Sequence, residues 1–307
     1  MITGVGLLAL SAFVGCDGGG SQLAQHQTAA TSTTSTSAPA EVVTTTVPTT
    51  ATTVAASTDP IPTEQLKGPK TAEAAAKAIA RIERRLRGAN RDPKRLFKLG
   101  RAQQLAYRAL SAQPAWVDNV LAVVPEELRP HVQANVDAGA TLSGLTGSAP
   151  APVGFPLWQI LVPEPAATLR AYYDEAEAAY GIPWEFLASI HFVETRMGRI
   201  HGLSSAGAQG PMQFIPDTWA AFGEGDINDN HDAILAAARY LESNNAATDI
   251  DGALFRYNND ERYVAAIKAY AAVMMADPGA YDGYYHWQVF YASADGTFLL
   301  PEGWSAV

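Results

Sequence analysis

One glutamate is a candidate for acid–base chemistry because of its place in an apolar pattern. Between residues 184 and 197, apolar side chains recur at helical spacing, with Leu187, Ile190 and Val193 on one stripe. Glu194 follows Ile190 by one helical repeat and therefore shares the face that the stripe buries. Burial disfavours the carboxylate anion and raises the pKa, and the negative end of the helix dipole acts in the same direction. A carboxyl that stays protonated near neutral pH can act as a general acid, although a structural glutamate satisfied by hydrogen bonds fits the same pattern.

A segment of small residues follows this helix and supplies groups that can contact a ligand. Residues 204–216 read Ser-Ser-Ala-Gly-Ala-Gln-Gly-Pro-Met-Gln-Phe-Ile-Pro, and glycine lets a backbone approach a ligand closely. The segment presents the hydroxyls of Ser204 and Ser205 and the carboxamide of Gln213.

A second polar group stands at a junction between two short helical patterns. Tyr257 and Asn258 end the first pattern, and Asp260 is placed to cap the second. A phenol and an amide at such a junction can reach into a cleft and suit sugar hydroxyls. A tyrosine that only packs in the core is the alternative interpretation.

Together these motifs resemble the lytic murein transglycosylases, lysozyme-like enzymes that cut the sugar backbone of peptidoglycan. The motifs are Glu194-Thr195-Arg196 followed by Gly198, the run Gly-Ala-Gln-Gly-Pro-Met-Gln, and Arg256-Tyr257-Asn258. The resemblance covers about residues 157–278, and residues 193–199 are similar to the membrane-bound B type. Pro211 departs from soluble relatives, which usually carry leucine there, and should stiffen the loop.

The resemblance implies a mainly α-helical protein with a lysozyme-like catalytic domain of the goose-type lysozyme (SLT) kind. It implies that Glu194 is the catalytic residue and that no metal or organic cofactor is needed. The residues implied to contact the sugars are Ser204, Ser205, Gln213, Tyr257 and Asn258.

The number of carboxylates bears on the reaction. A glycosidase of the usual kind uses two carboxylates, and the only acids near the motifs that could partner Glu194 are Glu224 and Asp226. A transglycosylase needs one, because the muramyl 6-hydroxyl attacks its own anomeric carbon and closes a 1,6-anhydro ring. The sequence therefore favours a lytic transglycosylase, with a lysozyme-type hydrolase or a non-catalytic wall-binding protein as alternatives.

The remaining chain predicts further helices and one hairpin. Helical patterns cover residues 71–87, 92–112, 116–124 and 130–145. We therefore expect a helical N-terminal module at 69–148, joined by the Pro- and Gly-rich residues 148–156 to a catalytic domain at 149–307. Near the C-terminus, two strand-like runs flank Asp295-Gly296, which is a hairpin signal.

Acidic and amide residues crowd a loop after the glycine-rich segment. Oxygen ligands at alternate positions from Asp226 to Asp232 are similar to a calcium loop, but His231 stands where such a loop needs glycine and Ala237 where it needs glutamate. Helix capping at His231–Asp232 is the preferred interpretation, and Asp217 is predicted to cap another short helix. We read His191 and His201 as packing or surface residues.

Charge is unevenly distributed along the 307 residues, whose net charge is −10. Residues 67–101 hold twelve of the 21 Lys and Arg residues and three of the 31 acids, a local balance of +9, which leaves −19 elsewhere. Attraction to anionic wall polymers or lipid headgroups is one interpretation, and a solvated helix face is the other. The acidic balance elsewhere argues against nucleic acid.

The N-terminus resembles an export signal. The apolar stretch before Cys16 ends in Phe13-Val14-Gly15-Cys16, similar to a bacterial lipobox, so 1–16 is predicted to be a signal peptide with lipidation at Cys16. The alternative is a cleaved secretory signal with an incidental cysteine. Residues 17–68 are rich in Thr, Ser, Ala and Pro and are predicted to be a disordered linker. The expected protein is exported, lipid-anchored at the outer face of the cell membrane and active in the cell wall.

Overall fold

The protein is mainly helical, with a small antiparallel sheet near its C-terminus. A computed structural model describes residues 58–145 and 151–306. The helices are α1 (Ala72–Leu86), α2 (Pro93–Ala112), α3 (Val117–Val123), α4 (Arg129–Leu145), α5 (Ala166–Tyr180), α6 (Trp184–Thr195), α7 (Pro216–Phe222), α8 (Asn230–Ser243), α9 (Ile250–Tyr257), α10 (Glu261–Ala276) and α11 (Ala280–Tyr285). The strands are β1 (Ile61–Pro62), β2 (Gln159–Ile160), β3 (Ile200–His201), β4 (Val289–Ser293) and β5 (Gly296–Leu300). The predicted fold class is confirmed.

Several helix boundaries follow from local chemistry. Thr71 accepts a hydrogen bond from the backbone N–H of Ala74 at the start of α1, and Asp92 does the same for Arg95 at the start of α2. Gly181 ends α5 in the left-handed conformation, with φ of 69°. Asp260 caps α10 through the N–H of Arg262. The starts of α1 and α2 agree with the predicted helical ranges, and Asp260 caps α10 as predicted.

Two predicted caps are wrong. Asp217 lies inside the first turn of α7, because Pro216 already occupies the first helical position. At α8 the capping side chain is Asp229, which accepts from the N–H of Asp232, so the helix begins before the predicted His231–Asp232 cap. Neighbouring acidic residues can each cap, and the backbone path selects among them.

Helices from both halves of the described chain share one core. The most extensive helix contact joins α4 to α10, and the Tyr284 hydroxyl donates to Asn135 Oδ1 at 2.8 Å. Gln104 donates to and accepts from the backbone of Gln288 at 2.8 Å. The helices predicted as a separate module therefore pack as an integral layer, and the domain boundaries at 148 and 149 stay predictions.

The hairpin predicted around Asp295 is present, and a third strand joins it. Strands β4 and β5 pair antiparallel, and β1 extends the sheet with Ile61 opposite Leu299 and Pro62 opposite Phe298. The predicted disordered linker therefore extends too far, because residues 58–68 include this strand. The open edge of β5 offers backbone hydrogen-bonding groups that β1 satisfies. Cys16 and residues 17–57 lie outside the described residues.

The basic helix has the predicted two-faced character. Ile79, Ile82 and Leu86 of α1 are buried, while the exposed face carries cationic side chains. These are Lys77, Arg81, Arg84 and Arg85. Lys77 forms an ion pair with Glu73. None of the helices in the described ranges is long and apolar enough to span a membrane.

Candidate active site

Glu194 lies in the last turn of α6 with its carboxyl group almost fully enclosed. Only 4% of the residue is exposed, and its Oε1 accepts a hydrogen bond from the Tyr263 hydroxyl of α10 at 2.8 Å. Burial raises the pKa of Glu194 to about 7, and the hydrogen bond from Tyr263 opposes part of that rise. The expected burial and raised pKa are present, so the group is poised to carry a proton near neutral pH.

The turn after Glu194 has three consecutive residues with positive φ angles. Arg196, Met197 and Gly198 all have positive φ, at 56°, 61° and 77°, and non-glycine residues adopt this conformation only when the surrounding structure fixes it. The Thr195 hydroxyl fixes it by donating to the Pro211 carbonyl at 2.6 Å and accepting from the Gly198 N–H at 3.1 Å. This residue therefore joins the end of α6 to the glycine-rich segment.

The glycine-rich segment forms a tight, self-bonded loop beside Glu194. Gln209 and Phe214 exchange two backbone hydrogen bonds of 2.9 Å. Gly210 has φ of 72°, and a Cβ there would stand 1.8 Å from the Ile227 carbonyl oxygen. The Gln213 side chain donates to the Gly210 carbonyl at 2.9 Å. The loop is thus shaped by close backbone packing that only glycine permits at residue 210.

Two tyrosines form one wall of the site. Tyr257 at the end of α9 donates its hydroxyl to the Met212 carbonyl at 2.7 Å, which ties α9 to the loop. Its ring lies parallel to that of Tyr263, with centroids 6.4 Å apart and planes 4° apart. The Tyr257–Tyr263 pair therefore connects the glycine-rich loop to the carboxyl group of Glu194.

The residues predicted to bind sugar differ in burial and in their hydrogen bonds. Ser204 is buried, and its oxygen accepts from the backbone N–H groups of two later loop residues at 3.2 and 3.0 Å, while Ser205 beside it is exposed. Gln213 is buried and Asn258 is partly buried at the end of α9. Of the two serines, Ser204 shapes the loop and Ser205 is the one open to a ligand.

The candidate second acids have other partners. Glu224 is exposed and forms a 2.9 Å ion pair with Arg239. Asp226 accepts the backbone N–H of Asn228 at 2.9 Å, in a local turn. Across residues 58–145 and 151–306, no carboxylate is bonded to Glu194 or to its partner Tyr263.

The acidic loop before α8 is held by its own hydrogen bonds. Asp229, His231 and Asp232 each place one potential metal-ligand atom within 4.8 Å of the others. Two of these side chains already accept backbone N–H groups, since Asp229 caps Asp232 and Asp232 accepts from Asp226 at 2.8 Å. His231 contacts Glu175 at 2.9 Å. This arrangement fits a helix cap.

Sequence patterns did not identify Tyr263 as part of the site. It lies three residues after the Asp260 cap, within α10, and only the packing of α10 on α6 brings it to Glu194. His191 of α6 is buried with its Nδ1 2.8 Å from the Tyr173 hydroxyl. Burial lowers the pKa of His191 to about 3, so it is a neutral packing residue.

Comparisons with known proteins found similarity to a family domain and to a curated relative. Residues 171–275 match the family described as the Transglycosylase SLT domain. The chain is also 33% identical over 79 residues to a Thiobacillus denitrificans protein named membrane-bound lytic murein transglycosylase F. That alignment covers 26% of this chain and 17% of the relative, so the chain spans about a sixth of the relative's length. No solved structure gives a significant match.

The family indicated by the sequence motifs can be compared with these matches. The resemblance to lytic murein transglycosylases with an SLT domain is confirmed. The relative bears the designation F, whereas residues 193–199 had indicated the B type. The matched region begins inside α5 and ends within α10, and it contains both Glu194 and Tyr263.

Proposed function

Since residues 171–275 carry a transglycosylase SLT domain, we propose that the protein is a peptidoglycan lytic transglycosylase. Its reaction would cleave the β-1,4 bond between N-acetylmuramic acid and N-acetylglucosamine. The observation that carries this proposal is the buried carboxyl group of Glu194, with a pKa of about 7 and a single hydrogen-bonding phenol. Such a group can both give and take a proton near neutral pH.

Each proton in the proposed reaction passes through Glu194. The protonated carboxyl group donates its proton to the glycosidic oxygen as the bond to the muramyl anomeric carbon breaks. The resulting carboxylate then accepts the proton of the muramyl 6-hydroxyl, whose oxygen bonds to the same anomeric carbon. Glu194 ends the cycle protonated and no water is consumed. Because the attack is intramolecular, the 6-hydroxyl group has a much higher effective concentration at the anomeric carbon than water has.

Tyr263 and the loop residues have complementary parts in this scheme. The Tyr263 phenol would stabilise the Glu194 carboxylate between the two proton transfers, since it donates to Oε1. Ser205, Gln213 and Asn258 would orient the sugars through hydroxyl and amide groups. Tyr257 would hold the loop in place through Met212.

A hydrolase on the same fold is the alternative for the bond cleavage. It would need a second carboxylate to activate water, and the two candidate acids named from the sequence are engaged elsewhere, Glu224 with Arg239 and Asp226 in its turn. This supports the transglycosylase.

The exposed cations of α1 would draw the enzyme to anionic wall polymers or lipid headgroups. Lipidation at Cys16 would anchor it at the outer face of the cell membrane.

Product analysis tests this proposal. Purified sacculi digested with the wild-type protein in heavy-oxygen water should release muropeptides that end in the anhydro sugar and carry no label at the new end. Glu194→Gln keeps the side-chain shape but cannot transfer the proton, so it should lose at least the ~10²–10⁴-fold help of general acid–base catalysis. Reducing ends that carry the solvent oxygen would establish a hydrolase instead, and full activity of Glu194→Gln would remove Glu194 from the mechanism.

A further inference from the structure

A buried cation connects the turn after Glu194 to the C-terminal segment of the chain. Arg199 follows this turn directly and is only 2% exposed. Its Nη1 donates a hydrogen bond to the Arg196 carbonyl at 3.0 Å, and its Nε donates to Glu302 Oε1 at 3.2 Å. The guanidinium also lies 5.3 Å from the centre of the Tyr285 ring. One side chain therefore joins the turn after Glu194 to a carboxylate that lies 103 positions beyond Arg199.

The bond to Arg196 bears on the end of α6, the helix that carries Glu194. Arg196 is the residue that caps the C-terminus of α6, and its φ of 56° is left-handed. The last carbonyls of a helix have no donor within the helix, and the Arg199 guanidinium supplies one. A cation at this place also opposes the negative end of the helix dipole. Arg199 therefore acts together with the Thr195 hydroxyl to fix the turn.

Glu302 compensates the charge of Arg199. A guanidinium buried without an opposite charge is costly, and across residues 58–145 and 151–306 Glu302 is the one carboxylate within ion-pair distance of Arg199. Burial lowers the pKa of Arg199, and the negative charge of Glu302 opposes that shift. Without Glu302, the guanidinium would lower its free energy by turning toward water and away from the Arg196 carbonyl.

Backbone pairing holds Glu302 close to Arg199. Gly303 donates its N–H to the Ile160 carbonyl at 2.7 Å, and the N–H of the next residue, Leu161, donates to the Arg199 carbonyl at 2.7 Å. Two consecutive residues thus bond the backbone beside Glu302 and the backbone of Arg199. The ion pair is preorganised by this pairing, so forming it costs little conformational entropy.

We propose that Glu302 is a positioning residue for Glu194, on which it acts through Arg199 and the turn at residues 196–198. This inference rests on the proposed function for its reaction. It extends the machinery that supports Glu194 beyond residues 171–275, which match the transglycosylase family. A misplacement of about 1 Å can slow an oriented reaction about 10²-fold, so loss of the ion pair should lower kcat. The groups proposed to bind the sugars lie in the glycine-rich loop and at the end of α9, so KM should change little.

Steady-state kinetics on soluble glycan fragments, measured below the melting temperature of every variant, test this role. Glu302→Ala removes both the charge and the acceptor. It should lower kcat between about tenfold and 10²-fold and change KM less than about twofold. Glu302→Gln keeps an acceptor oxygen and should recover part of the lost kcat.

Asp277→Ala is the matched control for these variants. Asp277 pairs with the enclosed Arg87 at 2.9 Å, and its side chain is 23% exposed, against 29% for Glu302. Removing it also breaks an ion pair of a buried arginine, but one that does not involve the turn after Glu194. Asp277→Ala should lower the melting temperature and leave kcat at the wild-type value.

A double variant tests the route through Arg199. Arg199→Gln should lower kcat by itself, because the Arg196 carbonyl loses its donor. Adding Glu302→Ala to Arg199→Gln should cause no further loss, since the effects of residues that act as one unit are not additive. Losses that multiply would mean that Glu302 acts independently of Arg199, which would overturn the proposal.

The carboxyl group of Glu194 can also be observed without turnover. Carbon-13 NMR follows its protonation, whose midpoint in the wild type is expected at about pH 7. This pKa depends on the burial of the group and on its bond to Tyr263, and both depend on the turn. Glu302→Ala should therefore shift the midpoint, whereas Asp277→Ala should not.

Two further outcomes would overturn the positioning role. One is a Glu302→Ala variant with the wild-type kcat and the wild-type midpoint. The other is an equal loss of kcat in Glu302→Ala and Asp277→Ala at equal losses of melting temperature, which would make Glu302 a purely structural residue. The proposed function is judged separately, from the products of the wild-type protein. The ratio of variant to wild-type kcat does not depend on whether the new ends are anhydro or reducing, and the NMR midpoint requires no reaction.

Discussion

Burial and the hydrogen bond from Tyr263 have opposite effects on the pKa of Glu194. Burial favours the neutral carboxyl group, and the phenol favours the carboxylate through its 2.8 Å hydrogen bond. A group that must first give and then accept a proton needs both influences, because a pKa far from the working pH would slow one of the two transfers. The balance at about 7 suits a cycle in which Glu194 alternates between the two states.

Removing the phenol should shift the pH dependence upward. Tyr263→Phe deletes the hydrogen bond that lowers the pKa of Glu194, so the alkaline limb of the activity profile, expected near pH 7 for the wild type, should move to higher pH. The maximal rate should fall, because the carboxylate intermediate loses its donor. Rate against pH on soluble glycan fragments measures both effects. Tyr281→Phe is the control, since its hydroxyl donates to the remote Ala166 carbonyl, and an unshifted limb in Tyr263→Phe would contradict the pairing.

The buried carboxyl group should also cost stability at alkaline pH. Its folded pKa of about 7 exceeds the ordinary value of 4.5, so the folded protein holds a proton that the unfolded chain releases between those values. Stability therefore falls as pH rises through this window, and above pH 7 the full penalty is present, on the order of 3 kcal/mol. Glu194→Gln has no titrating group and should gain stability relative to the wild type between pH 4 and pH 8.

Urea unfolding of both proteins at pH 4 and pH 8 checks this expectation. The quantity of interest is the change in the difference between the two free energies of unfolding, which removes any effect of the amide itself. A difference that stays constant across this range would mean that Glu194 titrates normally in the folded protein.

At the scale of elements, the end of α6 and the glycine-rich loop form one unit. Thr195 bonds the Pro211 carbonyl, Tyr257 bonds the Met212 carbonyl, and Gly210 packs against the Ile227 carbonyl. Consecutive loop residues are thus fixed by α6, α9 and the segment before α8. This fixation supports the run of positive φ angles after Glu194.

A pair of glycine substitutions isolates the close approach at residue 210. Gly207 and Gly210 both have positive φ, at 81° and 72°, but a Cβ at 207 meets nothing within 4 Å, whereas one at 210 would overlap the Ile227 oxygen. Gly207→Ala should cost about 1–2 kcal/mol of backbone strain. Gly210→Ala should cost clearly more and also lower activity, because the loop must move. Equal melting temperatures for the two variants would show that the contact with Ile227 yields easily.

At the scale of the whole molecule, the N-terminal helices and the C-terminal elements are interdependent. Buried Glu83 of α1 accepts from Tyr107 at 2.7 Å and Gln103 at 3.0 Å, and Gln103 accepts from Trp287 at 2.9 Å. These bonds connect α1 and α2 to the segment before β4. Together with the α4–α10 contact, they make the helices part of the same folding unit as the candidate site.

A fragment of residues 149–307 should therefore fail to fold by itself. It would expose the face of α10 that α4 covers and leave the partners of Gln103 and Gln104 without hydrogen bonds. A fragment that begins at residue 58 keeps these contacts and serves as the control. Circular dichroism and thermal melting distinguish them, and a cooperative melt of the shorter fragment would restore the predicted independent catalytic domain.

What the sequence determined is the part of the structure that depends on near neighbours. The Asp92 cap, the left-handed Gly181 and the amphipathic helix carrying Glu194 all follow from residues within one or two turns. The burial and raised pKa of Glu194 followed as well, because helical spacing alone places it on the buried stripe. The motifs around it sufficed to indicate the family.

Tertiary structure decided what depends on distant parts of the chain. Tyr263 reaches Glu194 across 69 positions of sequence, Gln104 bonds the backbone of Gln288 from 184 positions away, and Ile61 pairs with Leu299 at the far end of the chain. Helical or strand periodicity carries no information about which surfaces meet, since many packings satisfy the same local pattern. The hydrogen-bond partner of the Glu194 carboxyl group is set by that packing.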